Sequence, residues 1–386
     1  MKILLVILHA DPARGGAERY TVDLARGLAG LGHAVALAAS SFGAPIESVE
    51  FLRLDAGGWS RLGRYRRFLE SVRAHTRAHA YDIVHAMLPV EKCDLYHPHA
   101  GIAAEAVEAG HTKYRSQLGQ TASRFFNRLN RKRRFFAEVE RAMLMCTDGP
   151  RVICLSRYIQ DAARRHYPID EHRLPILLNG VDLARFDPQA NAAARGALRG
   201  RLGLGAEQVA GLMIAQDFER KGLAEAIEAV AKVGDERLRL VVVGRPDPSA
   251  YRRLAERLGV AGRVVFAGST DRPADFYRAA DFFVLPTRHD PCSLVVLEAL
   301  AMGLPVISTV CNGACEAMAG GTHGFVLGDP ADVPALADAM RQLLDRSVRQ
   351  SMRQACLDLR GSISQEQHVR RMVAIYEEIV RARQPH

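Results

Sequence analysis

At 386 residues, 48% hydrophobic and 25% charged, the chain has the composition of a large globular protein with enough apolar residues for two cores. No run of about eighteen apolar residues occurs, so no segment reads as spanning a bilayer. The net charge of +9 directs attention to acidic partners such as nucleic acid, anionic lipid or phosphorylated sugars, and seven scattered cysteines suit a reducing cytoplasm better than a disulfide framework.

The first predicted element is a buried parallel strand over residues 2–8. Its short apolar run leads directly into a Gly-Gly turn and an amphipathic helix, which argues against a signal peptide. The helix, over 17–31, carries Val22, Leu24, Ala25 and Leu28 at helical spacing and ends at Gly32-His33. Strands are predicted next at 34–39, 48–54, 82–86 and 152–155, with helical stretches between them. Strand alternating with helix is the pattern of a doubly wound α/β domain.

A long helical block over 103–146 interrupts that rhythm. Within it, residues 124–136 thread Arg124, Arg128, Arg131, Lys132, Arg133 and Arg134 among Phe125, Phe126, Phe135 and Phe136. Such a cluster is either a solvated helix face whose phenylalanines pack on the domain, or an interfacial patch whose cations meet anionic headgroups. No nucleic-acid motif accompanies it, so nucleic acid is not expected as a partner.

A strand, an Asn-Gly turn and a proline follow one another between Leu178 and Pro188, which marks a domain break. Beyond it, strands are predicted at 210–215, 238–243, 264–267, 282–285 and 305–309, alternating with helices that begin near Gly222, Ser249, Pro273 and Leu294. Residues 364–383 form a terminal amphipathic helix with Val369, Met372, Ile375, Tyr376 and Ile379 along one stripe.

Six short segments carry candidate chemistry. Arg14-Gly15-Gly16-Ala17-Glu18-Arg19 lies between the first strand and first helix, where glycines let backbone amides approach a phosphate; it is neither a Gly-x-Gly-x-x-Gly fingerprint nor a Walker loop. Asp94-Leu95-Tyr96-His97-Pro98-His99 offers two histidines beyond a strand, too few for a metal site. Asp217-Phe218-Glu219-Arg220-Lys221-Gly222 sets two adjacent cations between a strand and a helix, suited to neutralising a diphosphate. Gly244 ends a Val-Val-Val strand, where a missing side chain allows close approach of a ligand.

The fifth segment is Arg288-His289-Asp290-Pro291-Cys292-Ser293-Leu294-Val295-Val296-Leu297-Glu298. It places Asp290 before a turn and Glu298 inside an apolar helix, where a carboxylate requires solvent, a partner or ligand hydroxyls. The sixth, Asn312-Gly313-Ala314-Cys315-Glu316, follows the strand ending at Thr309. Cys311 and Cys315 are too isolated from other ligands to suggest zinc.

These segments together resemble glycosyltransferase family 4, retaining enzymes of the GT-B fold. The family has two acidic residues separated by seven others and followed by Ala and then Gly-x-Pro-Val, matched here by Asp290, Glu298, Ala301, Gly303, Pro305 and Val306. It usually has Glu at the first acidic position, so this chain has a carboxylate one methylene shorter. The resemblance implies two Rossmann-like domains facing a cleft: 1–178 with the returning terminal helix 364–386 for the acceptor, and 179–363 for the donor. It further implies that Arg220 and Lys221 hold the donor pyrophosphate, that Glu298 binds ribose hydroxyls, and that Asp290 meets the donor sugar. By the same resemblance, Gly15 and Gly16 contact donor diphosphate and acceptor, one of His97 and His99 touches the sugar, and Glu316 lies near the donor.

The implied activity is metal-independent transfer of a hexose from a nucleotide sugar, such as UDP-glucose, to a glycan or glycolipid. No cofactor beyond that co-substrate is expected. Among family members the Gly-Gly loop, the Asp-Phe-x-Arg-Lys-Gly stretch and the basic aromatic cluster most resemble glucosyltransferases of the bacterial lipopolysaccharide core. That resemblance implies a cytoplasmic protein peripheral to the inner membrane. Two alternatives stay open: a nucleotide-sugar epimerase of the same fold, and a noncatalytic, membrane-associated sugar-binding protein.

Overall fold

The computed structural model describes residues 1–108, 131–190 and 193–383. The chain divides into two compact units, the second running over Gly180–Ser364 and the first recovering the chain at Gln365.

The first unit is built on a six-stranded sheet whose strands lie, edge to edge, as Val49–Arg53, Ala34–Ala39, Lys2–Val6, Ile83–Ala86, Leu95–Tyr96 and Arg151–Val152. Every pairing is parallel. In chain order this is 3-2-1-4-5-6, the order of a doubly wound Rossmann sheet. Both faces are covered, which explains why the central strand reads as an unbroken apolar run. Ile3 and Leu5 join a core with Tyr20, Leu24 and Leu28 of helix Gly16–Gly30 and Met372 and Tyr376 of helix Gln365–Arg381. Leu4 and Val6 point to the opposite core, with Tyr65, Phe68 and Val72 of helix Arg61–Ala78.

The terminal helix belongs to this unit because its sequence stripe fits the first helix. A Cβ on Gly27 would lie 2.7 Å from Val369 Cγ2, so glycine there permits close packing. Buried Glu140, on helix Arg131–Leu144, accepts hydrogen bonds from Tyr96 Oη at 2.7 Å, Tyr167 Oη at 2.8 Å and the Ala103 backbone N–H at 2.9 Å. It thereby ties an inner strand, a helix and helix Ala103–Glu108 together without leaving a carboxylate unsatisfied.

The second unit repeats the design. Strands Val264–Gly268, Leu238–Val243, Val209–Ile214, Phe282–Val284, Val306–Thr309 and Gly324–Leu327 form a second parallel sheet, again in the order 3-2-1-4-5-6. Helices begin at Leu223, Ser249, Pro273 and Leu294. The two-residue strand Leu95–Tyr96 and the strand Gly324–Leu327 were not expected from the sequence. Two parallel-sheet α/β domains of this order are what the resemblance to GT-B enzymes implies. Among the described residues no helix is long and apolar enough to cross a membrane.

Candidate functional site

In the second unit, two loops at the carboxyl ends of adjacent strands dock on one another. Doubly wound sheets bind ligands at such strand ends. The loop after Val209–Ile214 carries Arg220, whose carbonyl accepts from the Arg288 backbone N–H at 2.9 Å and from Thr287 Oγ1 at 3.2 Å. Its guanidinium Nη1 donates to the His289 carbonyl at 2.7 Å. Gly222 completes the fit: its φ of +78° is left-handed, and a Cβ there would lie 2.3 Å from the Pro286 carbonyl oxygen. The chain thus joins two motifs 69 positions apart, and Lys221 Nζ donates to Asp290 Oδ2.

Both members of that pair are buried, each 8% exposed. Burial alone would raise the Asp290 pKa; the Lys221 charge and hydrogen bond, with Arg220 and Ser293, bring it below the usual carboxylate value. The carboxylate therefore fixes the Lys221 ammonium and largely offsets its charge. Among the described residues Arg220 forms one ion pair, at 3.3 Å to Asp217, whose side chain is 41% exposed, so it keeps most of its positive charge available. A forked donor beside an oriented ammonium is suited to two phosphate groups.

Asp290 is held in register by its backbone, since Asp290 N donates to the Cys311 carbonyl at 2.9 Å and Gly313 N donates back to the Asp290 carbonyl at 3.0 Å. Asn312 braces the same turn, accepting from Ser293 N at 3.2 Å and Ala314 N at 3.1 Å and donating to Ser308 Oγ at 3.1 Å. Glu298, on helix Leu294–Ala301, accepts from Tyr277 Oη at 2.8 Å. Burial, then the charge and hydrogen bond of Glu298, raise the Tyr277 pKa well above its ordinary value, so the phenol stays a donor. Glu316 is exposed on the short helix Gly313–Ala317.

Packing sets its own requirement at Gly244. A Cβ there would sit 2.1 Å from the Ala215 carbonyl oxygen and 2.8 Å from the Phe218 ring, so the fold itself needs glycine at this strand end. It still supports the site indirectly, by letting Phe218 lie beneath the Arg220 loop.

In the first unit, Gly15 is the extended residue before helix Gly16–Gly30, and its carbonyl accepts from Arg19 N at 3.1 Å. His97 and His99 belong to a larger cluster that the sequence does not reveal. His97 is wholly buried between His85 and His99, with ring centroids 5.4 and 4.2 Å away, and neither of its ring nitrogens has a partner. Tyr20 lies tilted against His99, ring centroids 4.1 Å apart, and hydrogen-bonds His368 Nε2 at 2.7 Å, while His368 Nδ1 donates to the Leu178 carbonyl at 2.7 Å. His85 Nδ1 pairs with Tyr376 Oη at 2.7 Å.

Burial holds all four imidazoles neutral at neutral pH, with His99 brought down to about 3 and His368 to about 4. His99 is the partly exposed one, which makes it the better candidate to reach a ligand. His85, His368 and Tyr20 went unnoticed because their partners are remote in sequence. Of the basic aromatic cluster, residues 124–130 lie outside the described residues, and Arg131–Leu144 is a helix. Phe136 stacks on Tyr65 at 4.0 Å, so this phenylalanine packs on the domain.

Comparison with known proteins gives concordant results. The family model described as "Glycosyltransferase Family 4" matches residues 14–185, and that described as "Glycosyl transferases group 1" matches residues 209–346. The chain is 28% identical over 339 residues to the lipopolysaccharide glucosyltransferase WaaG of Escherichia coli (strain K12), covering 86% of this chain and 87% of that protein. It is 31% identical over 342 residues to a "probable transglycosylase" of Burkholderia thailandensis, covering 87% of this chain and 83% of that protein. Among solved structures, WaaG superposes with a TM-score of 0.80 at 23% identity over 97% of this chain and 99% of that one. Anabaena HepE in complex with UDP and glucose superposes with a TM-score of 0.71 at 18% identity over 98% and 99%.

Proposed function

The chain belongs to glycosyltransferase family 4 and is a glycosyltransferase of the GT-B type, and from that premise we propose that it transfers a hexose from a UDP-sugar, such as UDP-glucose, to a membrane-associated glycan or glycolipid of the lipopolysaccharide-core kind. The observation that carries this reading is the docking of the Arg220 loop on the Asp290 loop, which sets a guanidinium, an ammonium and a carboxylate together. Arg220 and Lys221 would stabilise the negative charge that develops on the departing diphosphate, the role a metal fills elsewhere. Glu298 would bind ribose hydroxyls, Asp290 would meet the sugar, and His99 would offer it a neutral imidazole. Gly15 and Gly16 would bring backbone amides to phosphate or acceptor, with Glu316 nearby the donor.

No side chain is assigned as nucleophile. Retention would follow from attack on the face the diphosphate leaves, with the departing phosphate taking the acceptor proton. The glucosyltransferase named among the relatives supports glucose, and the UDP complex of HepE supports the nucleotide. Residues 124–136 would hold the protein on anionic lipid at the cytoplasmic face of the inner membrane. Salt-sensitive binding to anionic vesicles checks that placement.

The test is a panel of nucleotide sugars incubated with and without lipopolysaccharide-core acceptors. Release of nucleoside diphosphate that depends on acceptor supports transfer. Turnover of the donor to its epimer without acceptor would make the protein an epimerase, and binding without turnover would make it noncatalytic.

Two substitutions probe the donor contacts. Glu298→Gln keeps a hydrogen-bond acceptor for Tyr277 but removes the charge, so UDP should bind about tenfold more weakly by calorimetry. Unchanged affinity would leave Glu298 as a structural helix residue. Asp290→Glu adds one methylene and carries the carboxylate past its present seat on Lys221. Relative kcat/KM among nucleotide sugars should shift by about tenfold, the scale of one methylene in a pocket. An unchanged ranking and rate would remove Asp290 from sugar recognition.

A further inference from the structure

A second cationic cluster, in the first unit, shares Lys132 with the lipid-facing residues 124–136 and is otherwise unassigned. Helices Arg61–Ala78 and Arg131–Leu144 pack through Tyr65 and Phe136, whose rings stack at 4.0 Å. Arg61 stands one helical turn before Tyr65 and Lys132 one turn before Phe136, so both cations project beside the same aromatic contact. Lys132 Nζ lies 5.2 Å over the Phe136 ring, and Tyr65 Oη is anchored on the Pro89 carbonyl just past strand Ile83–Ala86. Arg64 follows Arg61 on the exposed side of the same turn.

His9 marks where this cluster lies. It follows the end of the central strand Lys2–Val6, its Nδ1 bonded to Ser41 Oγ at 2.8 Å. Burial, then the charges of Arg14, Lys132 and Arg64, lower its pKa, and burial followed by Arg61 and Arg64 lowers that of Lys132. Arg61 and Arg64 thus act on Lys132, and Arg14, Arg64 and Lys132 on His9, which lies beyond the carboxyl end of the first sheet's central strand, the ligand-binding end of a doubly wound fold. Three acids nearby are engaged elsewhere: Asp11 Oδ1 accepts from Ala13 N at 3.0 Å, while Asp55 and Glu70 lie by Arg67 at 3.9 and 3.8 Å; Glu18 lies against Gly15. Among the described residues no ion pair forms at Arg14, Arg61, Arg64 or Lys132.

We propose that Arg61, Arg64 and Lys132, with Arg14 and His9 beside them, form a subsite for a phosphate monoester carried by the sugar acceptor. Like charges gathered without counter-ions are costly, and a phosphate dianion offsets that cost through charge-assisted hydrogen bonds to two guanidinium groups and an ammonium. The position at the strand ends, with Lys132 and His9 half-buried, suits a compact anion, while the exposed Arg131 and Arg134 remain for a lipid surface. The inference rests on the glycosyltransferase reading, because the donor's own phosphates are assigned to Arg220 and Lys221.

The test follows glucose 6-phosphate by phosphorus NMR line broadening, with UDP saturating so that the donor loop is occupied. Wild type should bind the sugar phosphate, inorganic phosphate should compete, and binding should weaken with salt. Changing Arg61, Arg64 and Lys132 to Ser should raise the dissociation constant about tenfold or more, while Arg77→Ser, farther along the same helix, should leave it unchanged. Calorimetry should give equal UDP affinity for all three proteins, and equal thermal midpoints report folding of the first unit. Equal sugar-phosphate binding by wild type and the triple variant would overturn the proposal. So would a triple variant that keeps the sugar phosphate but releases phosphatidylglycerol vesicles, since the cluster would then be a membrane contact. Wild type that binds no UDP would overturn the donor reading, and the glucose 6-phosphate titration would still judge the subsite.

Discussion

Lys221→Ala is expected to lower kcat by about 10²-fold or more at saturating donor, the scale of losing one preorganised charge contact in the transition state. That corresponds to ~2.7 kcal/mol. The structure adds a second consequence, because Asp290 is buried against the Lys221 ammonium and would lose its counter-ion. An unpaired buried carboxylate takes up a proton or opens the loop, so Asp290 should titrate upward in the variant. Arg220→Ala should lose turnover on a similar scale while leaving the ion pair intact. Parallel loss of kcat in the two variants, with a thermal midpoint that falls mainly for Lys221→Ala, separates chemistry from loop architecture. Near-normal turnover in either would remove that residue from the reaction.

Mild acid should destabilise the first unit steeply. His85, His97, His99 and His368 have folded pKa values below the ordinary 6.5, so the unfolded chain binds more protons than the folded one as pH falls below that value. The stabilisation they hold is complete above about 6.5 and is lost progressively as pH falls towards their folded values. Each contributes up to ~1.4 kcal/mol per pH unit, so four together approach ~5 kcal/mol between pH 6 and 5, before most carboxylates titrate. Denaturant unfolding across that interval measures it. A stability independent of pH there would show that the cluster is charged or opens readily. The chemical corollary is that His99 would offer a sugar a neutral hydrogen-bonding group and no positive charge.

What the sequence made legible follows from how local each signal is. Val241-Val242-Val243 and Ile3-Leu4-Leu5 are buried on both sides, and such runs announce a parallel strand unaided. Leu95–Tyr96 is too short for any periodicity and lies in a segment otherwise notable for its histidines. Gly324–Leu327 follows a Gly-Gly turn and offers three apolar residues. The loops of the proposed donor site were legible as motifs because each is contiguous. Their partners were not: Lys221 meets Asp290 across 69 positions, and Tyr277 meets Glu298 across 21.

The terminal helix shows the same division. Its apolar stripe was plain, and the stripe does face the first unit's core. That Tyr376 would turn its hydroxyl to His85, or that His368 would bridge Tyr20 and Leu178, depends on which helix and strand lie alongside. Gly244 is similar. Its position after a strand suggested ligand approach, and the close packing of Ala215 and Phe218 against it was not legible.

The central claim is that Arg220 and Lys221 supply the positive charge for diphosphate departure in a retaining transfer. Its most direct measurement is NMR of the anomeric linkage formed from UDP-glucose on a lipopolysaccharide-core acceptor, with the rate taken in EDTA and in magnesium. The account predicts an α-linked product, matching the donor, at a rate insensitive to EDTA in wild type. A β-linked product, or a transfer that EDTA abolishes and magnesium restores, would contradict it.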